Sequence, residues 1–320
     1  MKEKDLGKSA VVFCSKGLGD GLLFLTVAHN LYINGYRPVV YHDSLVEMQS
    51  WFPEVTFYKY PQSVDSVKDN VFSADIVIVN KDDRTISEQI SRFVKKESKP
   101  SAYILMPTTC KGKNLPGDFH FDASKSMVKN LMFFCQNMLN LLKITSQNGI
   151  YPPLALQYRK NAKRVIIHSS AMSNLRIWPL KKMFKLAKKI QLLGYDPLFC
   201  FSMREGANAK AFLSKGYQTL VTRNLYELAE VLYESGFFIG NDSGVGHLAS
   251  CLKIPTLTIC SSKRKKLLWR PDWFENRTVI PYSVIPNFKL LRLRGRLWKY
   301  FIEVWRVFYH FKKLVKEGKK

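Results

Sequence analysis

Several large protein classes leave marks that this sequence lacks. Its six cysteines, Cys14, Cys110, Cys135, Cys200, Cys251 and Cys260, form no CxxC pair, so neither a zinc site nor a disulfide framework is indicated. They stand mostly in apolar runs, where a reduced cysteine packs as a small hydrophobe. No stretch reaches the ~18 apolar residues that read as a bilayer span. The chain opens Met1-Lys2-Glu3-Lys4-Asp5, and its first apolar run, Ala10 to Cys14, is too short for a signal peptide. A chain made and kept in the cytoplasm is the expectation. Gly17, Gly19 and Gly21 miss the GxGxxG spacing of a dinucleotide fingerprint. Asp82 and Asp83 are adjacent rather than spaced as a DxD metal pair, and no cofactor is expected. His42 and His120 have no ligand-spaced partners and read as structural or surface residues.

Acidic residues are scarce in one half only. The 320 residues carry a net charge of +25. Residues 1–150 hold 18 basic and 15 acidic residues, the remainder 32 and 10. A one-sided positive field points to an anionic partner: nucleic acid, a membrane surface or a phosphorylated ligand. No RNP, KH, zinc-finger or helix-turn-helix pattern supports nucleic acid. The hydrophobic share of 46% is that of a globular protein, and the length suits two domains.

The first half reads as α/β. Ala10 to Cys14 is a buried strand, Ser15 to Gly21 a tight loop, Leu22 to Ile33 a helix closed by Gly35, and Pro38 to His42 the next strand. This is the opening of a doubly wound sheet. Asp75 to Val79 and Ala102 to Met106 are further strands. Ser126 to Lys143 is expected to be one long helix. The break at Gly149 to Pro153 marks a domain boundary.

Beyond the boundary, Arg164 to His168 restarts a sheet, and Ser169-Ser170 end the strand. Pro179 opens a helix whose Leu180, Phe184, Ala187 and Ile190 share a face, with Gly194 after its end. Asp196 to Phe201 is a strand, Asn224 to Tyr233 a helix, and Thr256 to Cys260 a strand. Phe237-Phe238-Ile239-Gly240 runs into Asn241-Asp242-Ser243-Gly244 and then an apolar helix. The free N–H groups and positive dipole end of such a helix suit an anion, and small residues let a phosphate approach. An ordinary βα turn has the same appearance.

Asp242-Ser243-Gly244-x-x-His247-x-Ala249, with Ile254-Pro255-Thr256 after it, resembles the donor-site motif of the ADP-heptose:lipopolysaccharide heptosyltransferases, glycosyltransferase family 9. Two more motifs stand in the family's order: Gly19-Asp20 before the first helix, and Arg176-x-Trp178-Pro179, where the family usually has Lys at the basic position. The likeness runs from residue 9 to about 280, weakening where Ser261 to Lys266 replaces a Gly-Pro turn.

The resemblance implies a GT-B fold, two Rossmann-like doubly wound domains facing each other across a cleft. Residues 1–150 would bind the acceptor, 151–287 the nucleotide sugar, and 288–320 would form a basic amphipathic C-terminal helix. It implies Asp20 as the general base, with a helix cap as the other reading. Arg176, Ser169, Ser170 and the Ser243 and Gly244 amides would meet the diphosphate. Glu205 would hold the ribose or merely start a helix, Asp242 would touch the transferred sugar, and His247 would support the site or simply be buried. Lys16, Gly19, Lys111 and Lys113 would face the acceptor, the two later lysines reading equally as a solvated loop. The partners implied are a nucleotide-sugar donor and an anionic glycolipid acceptor at the inner membrane, without nucleic acid. Another nucleotide sugar, for a surface polysaccharide, and a GT-B epimerase remain open.

From Phe288 the chain repeats apolar residues at helical spacing, among them Leu293, Leu297, Phe301, Trp305 and Phe308, against a basic opposite side. Such a helix reads as peripheral membrane attachment. A helix packing back on the domains would use the same stripe. The expectation is that the part to about Leu297 packs and the later part lies on lipid.

Overall fold

A computed structural model of the chain describes residues 7–96, 101–106, 117–170, 177–285, 295 and 297–317. It divides into two compact units, Met1–Tyr151 and Pro152–Lys320.

In unit 1 the chain runs β1 (Ser9–Phe13), α1 (Leu18–Ile33), β2 (Arg37–Tyr41), β3 (Thr56–Tyr58), α2 (Lys68–Ser73), β4 (Ile76–Asn80), α3 (Thr85–Lys96), β5 (Ala102–Leu105) and α4 (Met127–Asn137). The five described strands form one parallel sheet in the order β3-β2-β1-β4-β5. Parallel strands covered on both faces need unbroken apolar runs rather than alternation. β4, Ile-Val-Ile-Val-Asn, is buried at every position. The β-branched residues Val11, Val77 and Val79 pack with Phe13, Tyr41, Ile90 and Val94.

α4 is shorter than its apolar pattern suggests. Ser126 caps it by accepting from the Lys129 N–H, and it stops at Asn137. Two asparagines of α1 take over the backbone beyond. Asn34 accepts from the N–H groups of Leu142 and Lys143 and donates to the Lys143 carbonyl; Asn30 does the same at Thr145. These side-chain amides hold the chain extended along α1, so the helical bonds there never form.

Unit 2 runs β6 (Asn161–His168), α5 (Leu180–Leu192), β7 (Asp196–Ser202), α6 (Gly206–Leu213), β8 (Thr219–Thr222), α7 (Leu225–Tyr233), β9 (Ser235–Asn241), α8 (Gly244–Cys251), β10 (Thr256–Ile259), α9 (Lys263–Leu268), β11 (Asn276–Val279) and α10 (Val304–Glu317). Its described strands are again all parallel, ordered β11-β10-β9-β6-β7-β8. β9 is buried throughout. Pro179 stands just outside α5 as its cap residue, one position earlier than its sequence reading.

The tail corrects an expectation. Residues 286–294 and 296, with the early apolar positions, lie outside the described residues. The later part is not a free amphipathic helix on lipid. Trp298, Ile302, Val307, Phe311 and Leu314 are buried in the same core as Val165, Phe199, Ile239 and Ile259. The Trp178 indole N–H donates to the Ile302 carbonyl at 3.0 Å, and Lys182 donates to the carbonyls of Tyr300 and Ile302. Burying the stripe against an apolar sheet face gains hydrophobic stabilisation without any lipid. Phe301 and Phe308 are half-buried, and of the aromatic residues expected at lipid Trp305 alone is well exposed, at 58%. No described helix is long and apolar enough to cross a membrane.

Candidate functional site

In a doubly wound sheet, ligands bind beyond the carboxyl ends of the strands where the strand order reverses. Unit 2 reverses between β6 and β9. The loop after β6 carries Ser169 and Ser170, and the loop after β9 carries Asp242, Ser243 and Gly244. The two loops are tied together by Asn241. Its amide nitrogen donates to the Ser169 carbonyl at 2.8 Å, and its amide oxygen accepts from the Trp178 N–H at 3.0 Å. All three residues are buried, so each bond counts more than a solvated one. Asn241 was not singled out in the sequence, because its partners lie 63 and 72 residues away.

Ser243 stands at the N-cap of α8 in extended conformation, and its hydroxyl makes no capping bond. That hydroxyl is buried and has no hydrogen-bond partner. Beside it the N–H groups of Gly244 and Val245 also lack intrahelical acceptors, while the Gly246 N–H donates to the Ser243 carbonyl at 3.2 Å. The turn thus has donors to spare. One helical turn on, His247 is 5% exposed and meets the Trp273 ring edge-on at 5.9 Å. Burial pulls its pKa down to about 4 against the opposing pull of Asp242. The imidazole is therefore neutral at physiological pH.

Glu205 sits where β7 ends. Burial would raise its pKa, but hydrogen bonds from Ser170 and from the Ser202 hydroxyl and N–H carry it below the usual carboxylate range. The structure thus brings Ser170 and Glu205 together. One carboxylate oxygen is engaged by Ser202 in a capping box, so Glu205 starts a helix as well as facing Ser170. His168, also missed in the sequence, is buried beside them and held neutral by desolvation.

Unit 1 reverses between β1 and β4. Lys16, Gly19 and Asp20 follow β1, and Asp82, Asp83 and Arg84 follow β4. Gly17 is the N-cap of α1. Asp20 is the third helical residue rather than the cap, where a carboxylate complements the helix dipole. It folds back so closely that a Cβ on Gly17 would lie 2.6 Å from its Oδ2. Behind the loop, His42 accepts from the N–H groups of Ser44 and Leu45 at Nδ1 and reaches the Gly17 carbonyl at 3.3 Å with Nε2. Nε2 must then carry the proton, and burial keeps the ring neutral. A Cβ on Gly21 would strike that ring at 2.8 Å.

Asp82 and Arg84 complete this corner, and no local motif announces them. The Asp82 carboxylate accepts from the Lys16 N–H at 3.0 Å and from Arg84 at 2.6 Å. Arg84 donates to the Cys14 carbonyl at 3.0 Å and lies 3.5 Å over the Tyr60 ring. Lys16 pairs with Asp83 at 2.8 Å. Lys111, Lys113 and Arg176 lie outside the described residues.

Residues 123–281 match the model of glycosyltransferase family 9 (heptosyltransferase). The chain belongs to glycosyltransferase family 9. It is an enzyme of the transferase class, related to heptosyltransferases that act on nucleotide sugars. Among solved structures, the Escherichia coli ADP-heptose LPS heptosyltransferase II is 14% identical, with a TM-score of 0.67 over 98% of this chain and 100% of that chain. A family 9 glycosyltransferase from Veillonella parvula is 14% identical, with a TM-score of 0.69 over 97% of this chain and 98% of that one. A UDP-N-acetylglucosamine 2-epimerase from Listeria monocytogenes is 14% identical, with a TM-score of 0.54 over 97% and 89%. At such identities the likeness is one of fold. Among curated proteins none matches the chain.

Proposed function

We propose that this family 9 glycosyltransferase moves a heptose from ADP-heptose to a lipopolysaccharide core acceptor at the cytoplasmic face of the inner membrane. The observation that carries the donor half is the turn at the β6–β9 reversal, where the unpartnered Ser243 hydroxyl and the first α8 N–H groups follow Asn241, which is bonded to the Ser169 carbonyl of the facing loop. Such donors favour a diphosphate. They favour it more as the sugar departs and negative charge develops on the leaving oxygen. Arg176 adds a fixed positive charge to that oxygen. Glu205 accepts from the ribose, Asp242 from the transferred sugar, and neutral His247 supports the turn from behind.

The acceptor half rests on the β1–β4 reversal, with Lys16 and Gly19 beside Asp20 and with Lys111 and Lys113 on the side of an anionic acceptor. As the acceptor hydroxyl oxygen bonds to the anomeric carbon, its proton passes to the Asp20 carboxylate. The bond from that carbon to the diphosphate breaks on the opposite side, releasing ADP and inverting the configuration.

Calorimetric titration of the full chain with ADP-heptose, UDP-sugars and CMP-sugars tests the donor. ADP-heptose is expected to bind and the others not. A UDP- or CMP-sugar binding in its place would overturn the donor assignment. Turnover of UDP-N-acetylglucosamine without an acceptor would instead favour the epimerase reading, which the fold likeness to the Listeria enzyme keeps in view.

A further inference from the structure

Three helices cover one face of the unit 2 sheet. α6, α5 and α10 bury Phe212, Leu186 and Phe311 in one core. Phe184 of α5 meets Phe212 of α6 at 4.7 Å. Lys182 of α5 pairs with Glu303, just before α10, at 3.0 Å, and Lys189 lies over the α10 ring Phe308 at 5.7 Å. The three outer surfaces therefore form one continuous layer.

That layer is almost wholly cationic. The three helices hold ten Lys or Arg and one acidic residue, and that residue, Glu317, is ion-paired with Arg277. α5 has five lysines and no acid in thirteen residues. Lys181, Lys185 and Lys188 of α5 and Lys312 and Lys316 of α10 are exposed. Like charges at positions i and i+3 or i+4 destabilise a helix, so α5 carries a repulsion that nothing within it relieves. Two other helices differ: α3 mixes both signs, and α7 has two glutamates and no cation, whereas the short α9 is a second cationic run, Lys-Arg-Lys-Lys-Leu-Leu. Between the cations lie exposed apolar groups, Leu192 at 86%, Trp305 at 58% and Tyr309 at 45%.

We propose that the outer surface of α6, α5 and α10 docks flat on an anionic lipid bilayer. The lysines meet headgroup phosphates, and Leu192, Trp305 and Tyr309 enter the interfacial zone, where amphipathic rings settle. A polynucleotide is the competing polyanion, but projecting leucine and tryptophan between the lysines suit a bilayer interface rather than a phosphate backbone. This surface is the reverse of the buried apolar stripe of α10, and half of its ten cations come from α5. The inference rests on the glycolipid-acceptor reading for its purpose; its measurement needs neither donor nor acceptor.

The test is sedimentation of the full chain with phosphatidylcholine vesicles, with and without phosphatidylglycerol, at rising salt. Binding is expected only with phosphatidylglycerol, falling as salt screens the surface. The triple variant Lys181→Gln, Lys185→Gln, Lys188→Gln should bind roughly a hundredfold more weakly, from about 1 kcal/mol for each cation near the surface. Lys59→Gln, Lys129→Gln, Lys143→Gln, a matched change of exposed unit 1 lysines, should leave binding unchanged. Wild-type indifference to phosphatidylglycerol, equal loss in both triples, or binding to a polynucleotide but not to vesicles would overturn the proposal. The wild-type salt series needs no variant, and melting temperatures check that both triples fold. A chain that binds nucleotide sugar but no vesicle refutes the surface alone; one that binds vesicles but no nucleotide sugar refutes the enzymatic reading alone.

Discussion

The two strand-order reversals are built alike and furnished differently. In unit 1 the loop after β1 is surrounded by ionised groups that satisfy one another: Lys16 with Asp83, and Arg84 with Asp82. In unit 2 the loops after β6 and β9 are joined by a neutral amide, Asn241, and leave a buried hydroxyl and a buried imidazole nitrogen without partners. One corner is rich in carboxylates and suits moving a proton. The other is rich in unused N–H and O–H donors and suits receiving an anion. Evolution of one α/β plan into two chemistries needs only such changes at the loop tips, because the sheets beneath are buried and constrained by packing.

The sharpest way to break this comparison is at Asp20. Asp20→Asn keeps the size of the side chain and removes the proton acceptor. Transfer should fall by ~10²–10⁴-fold, the usual contribution of general base catalysis. Donor affinity, measured by calorimetry, should stay as it was, since the proposal assigns the donor to unit 2. Loss of donor binding to the same degree, or retained turnover, would mean that the division of labour between the loops is wrong.

Asn241 is the corresponding point in unit 2, with a smaller expected effect. Asn241→Ala leaves the Trp178 N–H and the Ser169 carbonyl buried without partners, at a cost of roughly 2–5 kcal/mol in stability. Chemical denaturation measures this directly. Asn241→Asp keeps an acceptor for Trp178 but sets a buried carboxylate oxygen against the Ser169 carbonyl, so it should destabilise at least as much. Donor binding should weaken in step, because Asn241 fixes both ends of the segment that contains Arg176 in the sequence. A stable Asn241→Ala protein with full donor affinity would show that the two loops hold their positions without the amide.

These expectations also mark where the sequence could be read and where it could not. β9 and the helix after it were legible because a buried parallel strand has an unbroken apolar run, and Ser243-Gly244 marks the turn. α5 was legible from its apolar period and from Gly194, which has a left-handed φ of 84°. Asn241, Asp82 and Arg84 were not, because their work is done across 63 to 72 residues of chain, with no local signal. The end of α4 was hidden for the same reason: Asn30 and Asn34 lie 108 to 115 residues from the backbone they hold. The tail is a different case. An apolar stripe on a basic helix fits a bilayer and a sheet face equally well, and only the presence of an uncovered face on the unit 2 sheet decides between them.

The smallest expected effect is the pH dependence that His247 of unit 2 contributes, and it sharpens the contrast with the charged corner. His247 is buried, its Nδ1 has no partner, and burial lowers its pKa from 6.5 to about 4. At neutral pH the ring is uncharged in both folded and unfolded chains, so it makes no pH-dependent contribution. As pH falls below 6.5, the unfolded chain binds a proton at this site and the folded chain does not. Stability therefore falls through the window from 6.5 to about 4, because the unfolded state binds more protons. The full loss is on the order of 3 kcal/mol, from about 1.4 kcal/mol per pKa unit. Replacing the ring by an apolar one of similar size, His247→Phe, removes the titration, so the variant should lose less stability than the wild type across that window. Urea unfolding through this pH range provides the comparison. His42 in unit 1 is also shifted down by burial, but it is unchanged in this variant and contributes equally to both curves. If the two curves run parallel, His247 does not titrate as its burial requires, and the neutral, donor-rich character assigned to the unit 2 corner fails with it.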